Sequence, residues 1–317
     1  MTDQKLTKLE RREQAREQAR LAREAEKKRE KRNRFILQGS IVGVVIVVLG
    51  IVALVLAQTL KPAGPGPLNM VSGGATFAAD LEVVPTPALQ EGELRESRDV
   101  NWDEMPVDVT VYVDYMCPGC GAFEQNYGSM LENYVGSGDI TLTVYPINFL
   151  DSNSLGTKYS TRAANAFACL VEQQPDYGFA FHNRLLSADV QPAQGTTGLT
   201  DDQLAEHAEA VGATATTELR QCIKEQRFGA FINGNWKAVS ELGMKGLAEG
   251  AQLVNNPNAG DLQPADEPQR LRSTPTVIVN GQQWVAGRDG ELEEYLLKVK
   301  SQIEGDTDSG NTQNSSQ

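Results

Sequence analysis

Residues 107–120, VDVTVYVDYMCPGC, contain the pattern that decides the fold. Valine occupies every second position from Val107 to Val113, a period of two that predicts a β-strand. After the cysteines, apolar residues recur at steps of three and four up to about Val135, which predicts a helix with Pro118 in its first turn. The sequence therefore predicts a strand, a Cys-Pro-Gly-Cys turn and a helix in direct succession.

This setting distinguishes a redox-active cysteine pair from a chance one. At the first turn of a helix, free backbone N–H groups and the positive end of the helix dipole favour a thiolate, and such placement lowers a cysteine pKa from about 8.5 to roughly 3.5–7. We predict that Cys117 is the nucleophile that forms a mixed disulfide with a substrate. Cys120 lies one turn further in, beyond the Pro118-Gly119 dipeptide, and is predicted to resolve that mixed disulfide.

Residues 35–57, FILQGSIVGVVIVVLGIVALVLA, contain no charge and only Gln38 and Ser40 as polar interruptions. As a helix they would span about 34 Å, enough to cross a hydrocarbon core of about 30 Å. The alternative is a cleaved signal peptide, which we disfavour because the apolar regions of signal peptides are only about 7–15 residues long. The sequence predicts one transmembrane helix.

Charge predicts the orientation of this helix. Met1–Arg34 contain 13 Lys and Arg against 7 Asp and Glu, a net of +6, whereas the whole chain carries −13, which leaves −19 for the remainder. Basic segments stay on the cytoplasmic side, so the body of the protein is predicted to be extracytoplasmic. Residues 5–34 fit a solvated helix better than a coiled coil because their apolar positions are mostly Ala. The acidic body disfavours nucleic-acid binding.

Composition and periodicity divide the chain into five regions. A second strand is predicted over Ile140–Pro146, a hairpin over Thr276–Asn280 and Gln283–Ala286, and a closing helix over Leu292–Ile303. The predicted regions are a charged cytoplasmic tail (1–34), the transmembrane helix (35–57), a linker (58–69), an α/β domain (70–304) with a helical insertion at about 147–272, and a disordered tail (305–317).

The other two cysteines, Cys169 and Cys222, fall on separate predicted helices. Outside the cytoplasm thiols oxidise, so we predict a structural disulfide between them. A zinc site formed by all four sulfurs is the alternative, disfavoured because structural zinc sites usually contain two close-set pairs. We predict no metal and no cofactor. His182 and His207 have no partner motif and are expected to be surface or packing residues.

Thr274 and Pro275 stand directly before a predicted strand, and taken alone they would fit an ordinary turn. Beside the cysteine motif we predict a cis peptide bond between them. Together, MCPGCGAFE after a strand, the helical insertion and STPTVIVNG resemble the DsbA family of exported disulfide oxidoreductases, from about Asp108 to Val299. The resemblance implies a thioredoxin-like α/β fold in which the Thr274-Pro275 loop lies against Cys117 and Cys120 and accepts the substrate chain by backbone hydrogen bonds. The anchor and the additional cysteine pair are similar to those of membrane-anchored actinobacterial members.

The sequence departs from that family at two positions. Gly119 stands where the best-known oxidases have histidine, and Val111 stands where several relatives bury a carboxylate. Asp114 is the nearest acid, and it either relays protons or caps the turn.

The resemblance implies an oxidase that introduces disulfides into unfolded exported proteins and is reoxidised by a quinone-coupled membrane partner of the vitamin K epoxide reductase type. Two alternatives stay open: a reductase or isomerase on the same scaffold, and a non-catalytic binding module or chaperone. The redox potentials of thioredoxin and DsbA, about −270 mV and about −120 mV, correspond to a free-energy difference of only ~7 kcal/mol. A dipeptide and a few neighbouring residues can produce a difference of this size.

Overall fold

The computed structural model describes residues 65–93, 95, 97–256 and 260–313. The predicted tail (1–34), the predicted transmembrane helix (35–57) and most of the predicted linker lie outside the described residues. Within the described ranges, no helix combines the length and the apolar character that crossing a bilayer requires.

The described strands form one five-stranded sheet whose middle strand carries the valine alternation. Its strands are β1 (Ala75–Phe77), β2 (Val107–Val113), β3 (Ile140–Pro146), β4 (Thr276–Val279) and β5 (Gln282–Trp284), in the order β1-β3-β2-β4-β5. β2 and β3 are parallel, and the other neighbours are antiparallel. The central strand β2 therefore runs directly into the Cys-Pro-Gly-Cys turn.

Helices cover this sheet, and most of them belong to the insertion between β3 and β4. The described helices are α1 (Pro118–Gly136), α2 (Tyr159–Gln173), α3 (Gly178–Leu186), α4 (Asp201–Ala210), α5 (Thr217–Lys224), α6 (Gly229–Lys237), α7 (Ala286–Asp289) and α8 (Leu292–Gln313). Thr200 caps α4 with a capping box, because its hydroxyl accepts from the Gln203 N–H while the Gln203 side chain accepts from the Thr200 N–H.

The alternation in β2 divides the core into two parts. Val109 and Val111 pack on one face with α1 and the insertion helices. Tyr112 faces the other way and packs with Tyr145 and Ile278 in a smaller cluster. Both faces of the sheet are covered, as the largely apolar composition of its central strands requires.

The beginning of the domain was missed by the sequence prediction. Residues 66–69 were assigned to the linker, but the N–H of Gly66 donates to the carbonyl of Leu89 at 2.7 Å, and Met70 and Phe77 are fully buried. β1 has three residues, too few to display a period of two. The domain therefore begins by Gly66.

The closing hairpin and helix also differ from the prediction. The hairpin turn lies at Asn280-Gly281, one residue earlier than predicted, with φ of 44° and 73°. Asn-Gly supplies the positive φ angles that a two-residue hairpin turn requires. α8 continues to Gln313 and so overlaps the predicted disordered tail (305–317). No proline follows Ile303, and glycine costs a helix only about 1 kcal/mol relative to alanine.

A disulfide joins two helices of the insertion. Cys169 on α2 and Cys222 on α5 are bonded, with Cα atoms 6.0 Å apart, and both are fully buried. These two sulfurs are therefore not available as zinc ligands. Because the bond closes a loop of 53 positions, it stabilises the fold by about 4 kcal/mol on the chain-entropy estimate.

Candidate active site

The two cysteines of the turn occupy different positions in the first turn of α1. Cys117 is the N-cap residue, and its carbonyl accepts the N–H groups of Cys120 and Gly121 at 3.0 and 3.1 Å. Both cysteines are free thiols, with Cys117 7% exposed and Cys120 1% exposed. Cys117 is therefore the sulfur nearer to solvent, and Cys120 lies behind it.

This arrangement gives the two thiols opposite acidities. A hydrogen bond from the Cys120 thiol is the main cause that lowers the pKa of Cys117, to about 6, against the opposing effect of burial. The backbone N–H groups of Cys120 and Gly119 also lower the pKa of Cys117. Burial raises the pKa of Cys120 well above its usual value. At neutral pH Cys117 is mostly a thiolate and Cys120 a thiol.

The loop that contains the predicted cis-proline lies against this pair. The Thr274–Pro275 peptide bond is cis, as is Met105–Pro106. When protonated, Cys117 Sγ donates to the carbonyl oxygen of Thr274 at 3.3 Å. The Thr274 hydroxyl is buried and has no hydrogen-bond partner among the described residues. The structure thus brings together Cys117, Cys120 and the Thr274-Pro275 loop.

Gly119 permits the close approach of this loop. A Cβ atom at position 119 would lie 3.3 Å from Pro275 Cδ and 3.4 Å from the Thr274 carbonyl oxygen. These distances are at the tight end of normal contact, so a larger side chain would have to point away from the loop. The position that lacks histidine therefore carries the smallest residue beside the cis-proline.

Asp114 is a fully buried carboxylate beneath the turn. Its Oδ1 accepts from the Met116 N–H at 2.8 Å and from the Ser160 hydroxyl at 2.7 Å, and its Oδ2 accepts from the Leu150 N–H at 2.8 Å. Burial nevertheless raises its pKa to about 7. The negative charge of Asp114 also helps to raise the pKa of Cys120. Asp114 therefore caps the turn and also titrates near neutrality, within electrostatic range of the cysteines.

Gln191 is a site residue that sequence reasoning missed. It lies in the loop between α3 and α4, and its Nε2 donates to the carbonyl oxygens of Cys117 at 2.8 Å and Tyr115 at 3.4 Å. Gly121 leaves room for it, because a Cβ there would lie 2.1 Å from Gln191 Oε1. No local pattern marks this glutamine, since its partners are more than 70 positions away.

His182 lies in the core behind the site. Its Nδ1 is 3.2 Å from the Tyr115 hydroxyl and its Nε2 is 3.3 Å from the Glu124 carboxylate, and the residue is 2% exposed. It is therefore a hydrogen-bonded packing residue. Trp284 packs edge-on against Tyr127 of α1 at 5.7 Å between ring centroids.

Residues 103–247 match the family model described as Thioredoxin. This stretch includes β2, the Cys-Pro-Gly-Cys turn and most of the insertion helices. The cysteine pair at the start of α1, with the cis-proline loop beside it, has the geometry that thiol–disulfide exchange requires.

A curated relative is the serine/threonine-protein kinase PknE of Mycobacterium tuberculosis, 30% identical over 155 residues. The match covers 48% of this chain and 27% of the kinase, so the chain spans about a quarter of the length of the curated relatives it matches.

The chain is similar to several solved structures. The reduced disulfide bond oxidoreductase DsbG of M. tuberculosis is 22% identical with a TM-score of 0.48, and covers 73% of this chain and 93% of its own. Oxidised DsbA of M. tuberculosis is 22% identical with a TM-score of 0.47, covering 73% and 98%. The MdbA protein of Actinomyces oris is 15% identical with a TM-score of 0.48, covering 76% and 96%.

The acidity of Cys117 leads to a first prediction. The rate of Cys117 alkylation by iodoacetamide should follow a titration with a midpoint of about 6. Cys120→Ala should raise this midpoint because it removes the main hydrogen-bond donor, whereas Cys120→Ser keeps a donor and should raise it less. An unperturbed midpoint of about 8.5 in the wild type would contradict the assigned geometry.

The burial of Asp114 leads to a second prediction. Between the ordinary pKa of 3.8 and the folded value of about 7, the folded protein binds a proton that the unfolded chain does not. The free energy of unfolding should therefore fall as pH rises through this window, by up to about 1.4 kcal/mol per pH unit. Denaturant titrations of wild type and Asp114→Asn should differ in this slope, with the exposed Asp103→Asn as a control. Equal slopes in wild type and Asp114→Asn would refute the assignment.

Proposed function

We propose that the protein is a membrane-anchored, extracytoplasmic oxidase that introduces disulfide bonds into exported proteins through Cys117. The observation that carries this proposal is the opposite acidity of Cys117 and Cys120 beside the cis-proline loop. Such a site takes electrons from a substrate dithiol most readily when the reduced form of the pair is stabilised.

The stabilised thiolate favours oxidation of substrates. A Cys117 pKa of about 6 instead of 9.0 stabilises the reduced pair at pH 7 by about 1.4 kcal/mol, which is about 30 mV for a two-electron couple. Because the reduced form is stabilised, the Cys117–Cys120 disulfide is a stronger oxidant. A thiol of low pKa is also the better leaving group, so release of the product from Cys117 is accelerated.

The exchange proceeds in two displacements. A substrate thiolate attacks Cys117 Sγ of the oxidised pair, the Cys117–Cys120 bond breaks, and Cys120 leaves with the electron pair. Because the pKa of Cys120 is raised, it takes up a proton, and the Asp114 carboxyl, with its pKa of about 7, is the donor we assign. A second substrate thiolate then attacks the substrate sulfur of the mixed disulfide, and Cys117 leaves as a thiolate. The substrate is oxidised by two electrons and the domain is reduced.

Resemblance supports the remaining parts of the proposal. The Thr274-Pro275 loop binds the unfolded substrate chain by backbone hydrogen bonds. A quinone-coupled membrane protein of the vitamin K epoxide reductase type reoxidises the reduced pair. The anchor at residues 35–57 and the basic tail before it keep the domain outside the cytoplasm. The buried Cys169–Cys222 disulfide suits an oxidising compartment.

Gly119 favours a second candidate, a reductase or isomerase on the same scaffold. Without a histidine between the cysteines, no imidazolium contributes to the stability of the thiolate. Such a pair would have a lower potential and would donate electrons to wrong disulfides.

A glutathione redox titration of the full-length protein separates the two candidates. For an oxidase, the potential of the Cys117–Cys120 pair should lie nearer to the roughly −120 mV of DsbA than to the roughly −270 mV of thioredoxin. Cys117→Ser, which removes the pair, is the control that identifies the titrating cysteines. A potential close to that of thioredoxin would contradict the oxidase proposal and support the reductase.

The predicted location is tested in intact cells with Cys120→Ser, in which the Cys117 thiolate can attack a disulfide of an exported protein, releasing one of its sulfurs as a thiolate, and Cys120 cannot resolve the mixed disulfide that forms. We expect mixed disulfides with exported proteins, and we expect the unreacted Cys117 to be modified by a thiol reagent that does not cross membranes. Cys117→Ser should show neither product. Modification of Cys117 only after the cells are lysed would place the domain in the cytoplasm and overturn this part of the proposal.

A further inference from the structure

A cavity lies away from the cysteines, on the other face of the sheet. A cavity of about 340 Å³ is bounded on one side by Tyr112, Tyr145 and Ile278, which come from β2, β3 and β4. Neither cysteine of the active site nor the Thr274-Pro275 loop contributes to its lining. Its size is within the range of about 300–1,000 Å³ that is typical of small-molecule sites.

The charge of this cavity is opposite to that of the chain. Its lining contains four cationic residues, Arg95, Arg98, Lys237 and Lys245, against two acidic residues, Glu93 and Asp108. The whole chain, by contrast, carries −13. Arg98 and Asp108 pair at 3.0 Å and so neutralise each other. Among the described lining residues, Arg95 and the two lysines then stand against Glu93 alone, a net of two positive charges.

Arg95 is a guanidinium without a carboxylate partner among the described residues. Its Nε donates to Asn235 Oδ1 and one Nη2 hydrogen to the Phe231 carbonyl, both at 2.7 Å, and its guanidinium lies 4.7 Å from the centroid of the Phe231 ring. All of these partners are neutral. A guanidinium has five N–H donors, so several donors remain for a ligand. Lys245 Nζ lies close by and donates to the Arg95 carbonyl at 3.1 Å.

The rest of the lining is suited to an apolar body. The Tyr112 and Tyr145 rings are 4.6 Å apart between centroids, and Ile278 and Leu247 adjoin them in the lining. Trp102 also lines the cavity, and its indole Nε1–H is buried without a hydrogen-bond partner in the described part of the chain. A buried donor without an acceptor is costly, so an acceptor on a bound ligand would stabilise this N–H group.

We propose that this cavity binds a small organic carboxylate with an aromatic or hydrocarbon body. The carboxylate pairs with Arg95 and Lys245, because a guanidinium fork matches a carboxylate in geometry and charge. The apolar body packs against the tyrosine pair and Trp102. The ligand site does not depend on disulfide exchange, and it extends the function of the protein beyond the cysteine pair.

Photolabelling of the full-length protein in lipid nanodiscs tests this site. The probes are 4-benzoylbenzoate and its uncharged amide, 4-benzoylbenzamide, which match in shape and differ in charge. After irradiation, peptides that contain Tyr112, Tyr145 or Trp102 should carry the carboxylate probe. The amide should label the same peptides about tenfold less, since one charge-assisted hydrogen bond accounts for at least that factor.

Variants identify the groups that hold the charge. Arg95→Gln keeps a donor for Asn235 and should reduce carboxylate labelling about tenfold, and Lys245→Gln should reduce it by a smaller factor. The exposed Lys224→Gln on α5 is the matched control and should leave labelling unchanged. Cys117 alkylation reports whether each variant is folded. If Arg95→Gln does not fold, the proposal is tested by the labelling of Lys245→Gln and by the comparison of the carboxylate probe with the amide probe.

Each result of the labelling experiment either supports or overturns the proposed carboxylate site. Selective labelling by the carboxylate that depends on Arg95 or Lys245 supports the proposal. Equal labelling by acid and amide, labelling confined to other peptides, or labelling unchanged in both charge variants would each overturn it.

Discussion

The hydrogen-bonded register of β2 is the constraint on which the site depends. β2 pairs in parallel with β3 and antiparallel with β4, and Tyr112 is opposite Thr276. The end of β2 and the start of β4 therefore lie side by side, which brings Cys117 to within 3.3 Å of the carbonyl of Thr274, a residue 157 positions away. A shift of the β4 register by one residue would place the proline loop elsewhere and reverse the faces of Val277 and Ile278.

That register also separates two chemistries on the two faces of one sheet. Val109 and Val111 lie on the face that packs against the helix that begins at the cysteines. There a hydrogen bond from Cys120 lowers the pKa of Cys117, and burial raises the pKa of Cys120. Tyr112 and Tyr145 direct the other face to a cavity with excess positive charge. The alternation of residues that specifies β2 thus also determines which side chains lie on the face of the cysteine helix and which line the cavity.

Local patterns predicted the parts of the fold that have enough residues to show a period. β2, β3 and α1 were found from alternation and helical spacing, and the region predicted as a helical insertion contains α2 to α6. β1 has too few residues to alternate, and the hairpin turn was misplaced because its Asn-Gly pair was not used. Of the site, the motif residues were predictable, whereas Gln191, the burial of Asp114 and the partners of His182 depend on tertiary contacts. The cavity was not predicted, since its charges come from segments far apart in the chain.

The Cys169–Cys222 disulfide differs from the Cys117–Cys120 pair in its exposure to solvent, and this difference determines whether it can take part in thiol–disulfide exchange. Both of its sulfurs are completely shielded from water, whereas Cys117 retains a small accessible surface. Thiol–disulfide exchange needs in-line access of an attacking sulfur, so small thiols and neighbouring copies of the enzyme can reach one pair and not the other. With the proposed function, the folded chain would therefore store and release a single electron pair through Cys117 and Cys120, while the buried Cys169–Cys222 bond would take no part in the exchange.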